Sequence, residues 1–364
     1  MSVELLAERL AERTLALINI PSVSHGEQGI LAHLQSSAGA LNDFETQQAP
    51  GDGLLLAPRR TGKPLVVLAG HVDTVPAQDN LPGRRAGDVI YGLGASDMKS
   101  SLAVMLEMAA WQAAEQPVLA VDLAYLFFAR EELPITESAV PALFQHCPSL
   151  REASLLVVME PTDGTIQLGC LGNLNAEVEF NGKSAHSARP WQGDNALHKA
   201  ILGLQAIATL EPQPVHIGGL TYTEVVSLTR IRAGIAANVI PDQVTAHVNY
   251  RYAPDRTPHD AEKHLRRWLP EECTLRVLGN APPARVAIAN PLVDRLQRAG
   301  DLSIEAKQAW TPVAEFSAEG LDAINFGPGA SIHAHQRNEQ VQIGDIVRAF
   351  QVLQRFALGG DHAD

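Results

Sequence analysis

His71-Val-Asp73 stands just past the apolar run Leu65 to Ala69, and in extended chain residues two apart project to the same side of the backbone. Asp97 follows the glycine-rich Tyr91-Gly-Leu-Gly-Ala-Ser. Glu131 and Glu132 adjoin beyond the run Val118 to Phe128, Glu160 follows the run Ser154 to Met159, and His335 comes late, in Ala334-His-Gln-Arg-Asn-Glu339. A single acid or imidazole at a strand end is commonplace; acid or histidine at one strand end after another is a pattern. Together these residues make an oxygen-and-imidazole set suited to borderline divalent cations such as zinc. Two cations sharing a bridging carboxylate, ~3.5–4 Å apart, could polarise a carbonyl and lower the pKa of a water between them. Adjacent glutamates at a strand end point different ways, so one can bind metal while the other stays free as general base.

The elements that must position these residues follow from periodicity. Leu65 to Ala69 is a continuous Val- and Leu-rich run between a Gly-Lys-Pro turn and Gly70, which reads as a strand buried on both faces. Polar residues at its carboxyl end lie where open α/β sheets put their sites. Helical spacing covers residues 4–18, 27–35 and 99–114, and alternation of these helices with the buried strands predicts a parallel α/β sheet. The glycine-rich approach to Asp97 lacks phosphate-loop spacing, and its acid would repel an anion; a cation suits it better.

From Gly172 the texture changes. Asn173 to Phe180 alternates, Asp194 is the expected N-cap of a helix to Leu210, and Glu224 to Arg232 and Gln243 to Tyr252 alternate again. A helix over Pro258 to Leu269 and a strand over Thr274 to Leu278 complete a β-α-β-β-α-β order, the split ferredoxin-like unit. After Pro282-Pro283 come a helix near Pro291 to Arg298, a short strand Asp322 to Phe326 and a closing helix Ile343 to Leu358. Residues 1–171 and 284–364 are therefore expected to form one catalytic domain, with 172–283 inserted as a second.

Composition narrows the class. Apolar residues are 46% and charged residues 19%, ordinary for a globular enzyme. A net charge of -13 argues against nucleic acid or an anionic membrane as partner. No apolar run reaches the ~20 residues of a membrane span, and the start Met1-Ser-Val-Glu-Leu-Leu lacks signal-peptide character. Cys147, Cys170 and Cys273 are scattered and odd in number, as expected of inert thiols in a reducing cytoplasm. Cys170, His25 and His33 fall in no motif and read as structural.

His71-x-Asp73, Gly-Ala-Ser-Asp97-Met-Lys, Glu131-Glu132, Glu160-Pro-Thr, Gly182-Lys-Ser-Ala-His186-Ser, Asn238-Val-Ile-Pro-Asp, Arg251-Tyr and Gly327-Pro-Gly329 with His335-x-x-Asn-Glu339 follow one another along the chain. In types and order this series resembles the dinuclear zinc aminoacylase and carboxypeptidase family, over essentially the whole length. The resemblance implies a zinc-peptidase-like α/β catalytic domain with a mostly parallel central sheet, plus an inserted α+β ferredoxin-like domain for dimerisation and lid closure. It implies two Zn2+ per subunit, Co2+ being possible: His71 and Glu160 on one, Glu132 and His335 on the other, Asp97 bridging. Glu131 would be the base that takes a proton from water and returns it to the leaving amine. Asp73 would orient the His71 imidazole and raise its basicity. His186 would reach the active site of the partner subunit in a homodimer to stabilise the oxyanion, and Asn238, Arg251, Thr311, Gly327 and Gly329 would hold substrate, Arg251 as a planar fork on a carboxylate.

Glu160, where the family's aminopeptidases tend to carry Asp, resembles the acylase and carboxypeptidase branch, so the expected bond is an N-acyl amide next to a free carboxylate. Ala185-His-Ser-Ala-Arg189-Pro-Trp-x-Gly-Asp-Asn-Ala-Leu-His198 and Asn249-Tyr-Arg-Tyr-Ala-Pro-Asp255 resemble the desuccinylases, which implies release of succinate from N-succinyl-L,L-diaminopimelate in lysine biosynthesis. N-acetylornithine or N-acetylcitrulline deacetylation, or carboxypeptidase activity, is the alternative; a non-catalytic binding relative is the remote one. Two positions depart from the pattern: Arg130 where the family commonly has a small or acidic residue, and Pro312, in Trp310-Thr311-Pro312, where related desuccinylases often carry Asp.

Overall fold

Every residue of Leu65–His71 is buried, with Val66, Val67, Leu68 and Ala69 fully so. Such complete burial stabilises by roughly 1.5–3 kcal/mol per Val or Leu side chain, which is why this run occupies the middle of a sheet. The computed structural model describes residues 2–39, 41 and 43–360 of the 364; residues 1 and 361–364, the outer ends of the expected catalytic segments, lie outside them. Contacts divide the chain into two units, one within Met1–Leu168, Ala287–Glu305 and Glu315–Asp364, the other Gly169–Val286 and Ala306–Ala314.

In the first unit Leu65–His71 pairs in parallel with Asp122–Phe128 on one side and Ala153–Val158 on the other, and Ala153–Val158 pairs in parallel with Ala323–Asn325. Register places Leu65 opposite Asp122 and His71 opposite Phe128, so these strands reach their carboxyl ends together. Antiparallel strands Gly53–Pro58 and Phe44–Ala49 extend one flank, Ile166–Leu168 and Ile304–Ala306 the other. The α/β class with a parallel centre is the observed one.

Helices Val3–Ile18, Ser100–Glu115, Pro291–Gly300 and Ile343–Leu358 pack on one another. The first starts where the Ser2 side chain accepts the Leu5 N–H and buries Leu6, Leu10, Leu17 and Ile18 along one stripe. Ser100–Glu115 is apolar almost all round; its one fully buried acid, Glu107, is met by Arg9 and Arg13 of the first helix at 2.7 and 3.2 Å. The strand expected from Val118 begins only at Asp122. Val118 is 86% exposed, and the chain enters the sheet where Asp122 accepts from Arg60 and Thr61 and its N–H meets the Pro64 carbonyl.

The second unit is a five-stranded antiparallel sheet in the order Gln213–Ile217, Leu220–Ala233, Gln243–Tyr252, Gly172–Asn181, Thr274–Ala281. Alternate residues Leu174, Ala176, Val178, Phe180 and Val244, Ala246, Val248, Tyr250 turn to one face, and Ala196, Ala200, Ala261 and Leu265 of the helices cover it. Gln213–Ile217 was not expected from the sequence. It forms a hairpin through Gly218 and Gly219, both at positive φ (58° and 81°), as a two-residue turn requires. The helix cap is Asn195, whose side chain accepts from Leu197 and His198, and not Asp194, whose carboxylate pairs with Lys199; the helix breaks at Leu204 into Ala196–Gly203 and Gln205–Ala208. The expected single return after residue 283 is split, because Ala306–Ala314 belongs to this unit: the Gln308 side chain bonds Thr221 and Thr223, and the Trp310 indole N–H donates to the Pro282 carbonyl.

Candidate metal centre

The ends of the parallel strands assemble the site, all of it within the first unit. His71, the last residue of Leu65–His71, has a buried ring, and its Nε2 lies 3.0 Å from Asp97 Oδ1 and 3.9 Å from Glu160 Oε1. Its Nδ1 lies 3.1 Å from the backbone carbonyl of Asp73 and 3.5 Å from that residue's carboxylate, so Asp73 orients the imidazole chiefly through its main chain. The Asp73 carboxylate is otherwise engaged: Oδ1 accepts the Glu131 N–H at 3.1 Å, and Oδ2 accepts the Glu132 N–H at 3.1 Å and the Ser24 hydroxyl at 2.8 Å. One buried acid thus holds the turn on which both glutamates stand.

Asp97 lies in the short segment Ala95–Lys99, entered through Gly94 at φ 79°, where a Cβ would crowd the Lys99 side chain. Glu339 holds this segment from below, accepting from Gly94, Ser96 and Asp97 N–H groups at 2.9, 2.9 and 3.0 Å. Burial pushes the Glu339 carboxyl up to about 7 against those three bonds. In the sequence Glu339 closes the His335-x-x-Asn-Glu339 motif, but a lone acid at that spacing carries no mark of this task.

On the far side of Asp97, His335 Nε2 lies 3.0 Å from Glu132 Oε1 and 3.5 Å from Asp97 Oδ2. His335 adopts a left-handed φ of 59° and its side chain is 51% exposed, so packing does little to hold it. The 78–80 loop does: Gln78 donates to the His335 carbonyl at 3.0 Å, Asn80 to the Gln336 carbonyl at 3.2 Å, and Asp79 pairs with Arg337 at 2.7 Å.

Three donor groups result, His71 with Asp97 and Glu160, Asp97 with Glu132 and His335, and His71 with Glu131 and Glu132, the ligand atoms within each lying within 4.8 Å of one another. The electrostatics ask for cations. Burial works against both charges, yet hydrogen bonds from His335 and His71 hold the Asp97 carboxyl well below its usual range. His71 is raised well above the ordinary imidazole value despite burial, by Asp73 and Asp97, and His335 is raised to about 10 by Asp97 and Glu132. Glu131, half-buried beside Glu160, Glu132 and Asp97, is raised well above the usual carboxyl range by loss of water and by those acids, with His71 opposing. Five acids around two imidazoles gather hard oxygen and borderline nitrogen donors, which fits a pair of divalent cations.

The remaining expected residues fall into two sets. Gly327 and Gly329 belong to the first unit, beside the end of Ala153–Val158: a Cβ on Gly327 would lie 2.2 Å from the Met159 carbonyl, and Thr162 bonds both the N–H and the carbonyl of Gly327. His186, Asn238, Arg251 and Thr311 belong to the second unit. His186 and Asn238 are neighbours on exposed loops, bridged at His186 and Val239, with Ser187 donating to the Asn238 carbonyl at 2.9 Å. Arg251 is half-buried and bonds Asn249 at 3.0 Å; Thr311 is buried. Arg130, the departure before the glutamate pair, turns away at φ 59° to bond the Glu137 and Gly51 carbonyls and pair with Asp52, so it braces the turn.

The profile of Peptidase family M20/M25/M40 matches residues 67–359. The Mycobacterium tuberculosis protein DapE is 37% identical over 351 residues, covering 96% of this chain and 98% of that protein. The succinyl-diaminopimelate desuccinylase of Corynebacterium glutamicum is 35% identical over 357 residues, covering 94% of each. Among solved structures, aminopeptidase PepT from Bacillus cereus superposes with a TM-score of 0.79 at 17% identity, covering 97% of this chain and 98% of that one. The M20 family metallo-carboxypeptidase Sso-CP2 from Sulfolobus solfataricus superposes with a TM-score of 0.70 at 18% identity, covering 95% and 98%. At these identities the structures speak for the fold, while the sequence matches run nearly end to end, and the chain belongs to peptidase family M20/M25/M40.

Proposed function

We propose that this protein is a dinuclear metallohydrolase that cleaves N-succinyl-L,L-2,6-diaminopimelate to succinate and L,L-diaminopimelate, a step of lysine and diaminopimelate biosynthesis. The observation that carries the chemistry is Asp97, whose two oxygens face two different histidines, His71 at 3.0 Å and His335 at 3.5 Å. One carboxylate can then serve two cations. His71 and Glu160 would hold one, Glu132 and His335 the other, zinc being the expected metal and cobalt a workable substitute. Bound there, the cations would supply Lewis acidity for an amide carbonyl and make a water more acidic. What supports the substrate is the near end-to-end likeness to the Corynebacterium glutamicum desuccinylase.

In this reading Glu131 is the proton carrier: its carboxylate takes a proton from water as the water oxygen attacks the amide carbon, and returns it to the leaving amine nitrogen. Asp73 fixes where that carboxylate stands through the Glu131 and Glu132 N–H groups. Asn238, Arg251, Thr311, Gly327 and Gly329 hold substrate, and His186 serves the oxyanion of the partner subunit. Residues 172–283, joined by Ala306–Ala314, are the dimerisation and lid domain, and the catalytic domain is formed by the rest of the segments 1–171 and 284–364. A homodimer is supported by the strand Leu220–Ala233, which outruns its neighbour Gln213–Ile217: residues 225–233 carry no strand on that side among the described residues, with Leu228 and Ile231 37% and 54% exposed. A free strand edge of this kind invites pairing with a second copy. The enzyme works in the cytoplasm on a small-molecule substrate, without nucleic acid or membrane; no helix among the described residues is long and apolar enough to cross one.

The test is a substrate panel with the zinc-loaded protein. Succinate release from N-succinyl-L,L-diaminopimelate is expected, with loss of turnover but near-normal zinc content in Glu131→Ala. A protein that leaves this substrate intact and deacetylates N-acetylornithine refutes the substrate, and full turnover by Glu131→Ala refutes the base.

A further inference from the structure

On the sheet of the second unit, the face turned away from its helices carries a row of amides. Asn249 and Arg251 stand two residues apart on Gln243–Tyr252, so their side chains leave the same face. Register sets Asn175 of the strand Gly172–Asn181 opposite Asn249, and Asn173 opposite Arg251. All four are half-buried, while Val248, Tyr250 and Tyr252, which alternate with them, are buried in the apolar cluster of the other face.

The bonds within this row run one way. The Asn249 amide nitrogen donates to Asn173 Oδ1 at 2.8 Å and to Asn175 Oδ1 at 2.9 Å, and the Asn175 amide nitrogen donates to Asn173 Oδ1 at 3.2 Å. Asn249 Oδ1 accepts the Arg251 Nε–H at 3.0 Å. Both hydrogens of the Asn249 amide are thereby spent on oxygens, which leaves its own oxygen facing the guanidinium. Turned over, the amide would set oxygen against two oxygens and NH2 against an N–H. An aspartate at 249 could accept from Arg251 but could not donate to the two carbonyl oxygens, so the row needs asparagine there. The consequence falls on Arg251. A guanidinium offers a carboxylate two edges, one containing Nε and one formed by the two Nη nitrogens. With Nε held by Asn249 the first is closed, and the Nη nitrogens make no bond among the described residues. An arginine fixed before its ligand arrives loses less freedom on binding.

We propose that Asn249, oriented by Asn173 and Asn175, is a positioning residue that aims the Arg251 guanidinium, so that its two Nη nitrogens meet a substrate carboxylate end-on. This deepens the proposed function and rests on its assignment of Arg251 to the substrate. What it adds is the residue that aims the arginine and the edge that is used. Asn249 acts through Arg251 and not on the substrate, because its amide is spent within the row.

The experiment uses the full-length zinc-loaded protein with Asn249→Leu, Arg251→Lys and the two together. Leucine keeps the shape of asparagine without its polar atoms, and lysine keeps the charge of arginine without an Nε–H. Asn249→Leu is expected to raise KM for the succinyl substrate about 10-fold or more, with kcat changed much less. In the Arg251→Lys background the same change should move KM by less than about twofold, since no Nε–H is left to hold. By NMR, the Arg251 Nε–H of wild type is protected from exchange with water. That protection is lost in Asn249→Leu and reduced in Asn173→Ala with Asn175→Ala, a readout apart from turnover that a purely structural asparagine would not move. Should the leucine variant fail to fold, Asn249→Ser, a polar side chain on a half-buried face, takes its place. A KM for the Asn249 variant within about twofold of wild type, or an equal rise in KM with and without Arg251→Lys, overturns the inference. So does an Arg251 Nε–H that exchanges as fast in wild type as in the variant. If the protein deacetylates N-acetylornithine instead, and KM for that carboxylate depends on Asn249 only while Arg251 is present, the proposed substrate falls and the positioning role stands.

Discussion

Replacing Asp73 by Asn keeps the shape of a buried side chain and removes the one property its position depends on, two acceptor oxygens. Oδ1 takes the Glu131 N–H, and Oδ2 takes the Glu132 N–H and the Ser24 hydroxyl, at 2.8 to 3.1 Å. Asparagine has one acceptor, so whichever way the amide is turned its NH2 faces a backbone N–H. The Ser24 hydroxyl can rotate to accept; the N–H cannot. One stranded backbone donor costs about 1–3 kcal/mol, and each surviving bond, no longer to an ionised partner, weakens by about 1 kcal/mol. The total, on the order of 3–5 kcal/mol, is relieved most readily by moving the 130–132 turn, and a displacement near 1 Å at a catalytic group costs roughly 100-fold in rate. The expected result for Asp73→Asn is a fall in kcat/KM of about 100-fold or more, with faster amide exchange at Glu131 and Glu132 and a thermal midpoint close to wild type. Activity within a factor of about three of wild type, or unchanged exchange at those two amides, refutes the reasoning.

Removing the His335 support with Gln78→Ala and Asn80→Ala together deletes two bonds worth about 0.5–1.5 kcal/mol each, so one of the two divalent sites should weaken by about 10-fold or more while the other keeps its affinity; metal titration with two equal, unshifted phases counts against it. Burial raises the Glu315 carboxyl to about 7, against a hydrogen bond from Ser138. Its folded pKa lies above the unfolded value, so its stabilising contribution is complete below about 4.5 and is lost as pH rises through about 7. Glu315→Gln should therefore gain on the order of 2 kcal/mol over wild type at pH 8 and almost nothing at pH 5, by urea unfolding at each pH; equal differences at both pH values contradict it. Leu228→Lys with Ile231→Glu puts charge on the free strand edge of the second unit and should convert dimer to monomer in sedimentation without lowering the thermal midpoint of the catalytic unit; an intact dimer removes that edge from the interface.

The chemistry was legible in the order of residue types because each group stands at a strand end, and strand ends are local events: an apolar run, a break, then an acid or histidine. Leu65–His71, Asp122–Phe128 and Ala153–Val158 announce themselves this way, as does the inserted unit through its change from continuous to alternating apolar pattern. The Gly218-Gly219 hairpin is equally local, a two-glycine turn that is readable in the sequence. What the chain alone could not disclose are relations between residues far apart in number. Which oxygen of Asp73 serves which N–H, that Glu339 lies beneath Asp97, and that Gln78 and Asn80 hold a left-handed histidine are all settled by how segments far apart in the chain come to lie together. A sequence records which groups a protein owns; whether a buried charge is answered depends on distance and on exclusion of water, and only the folded chain sets those.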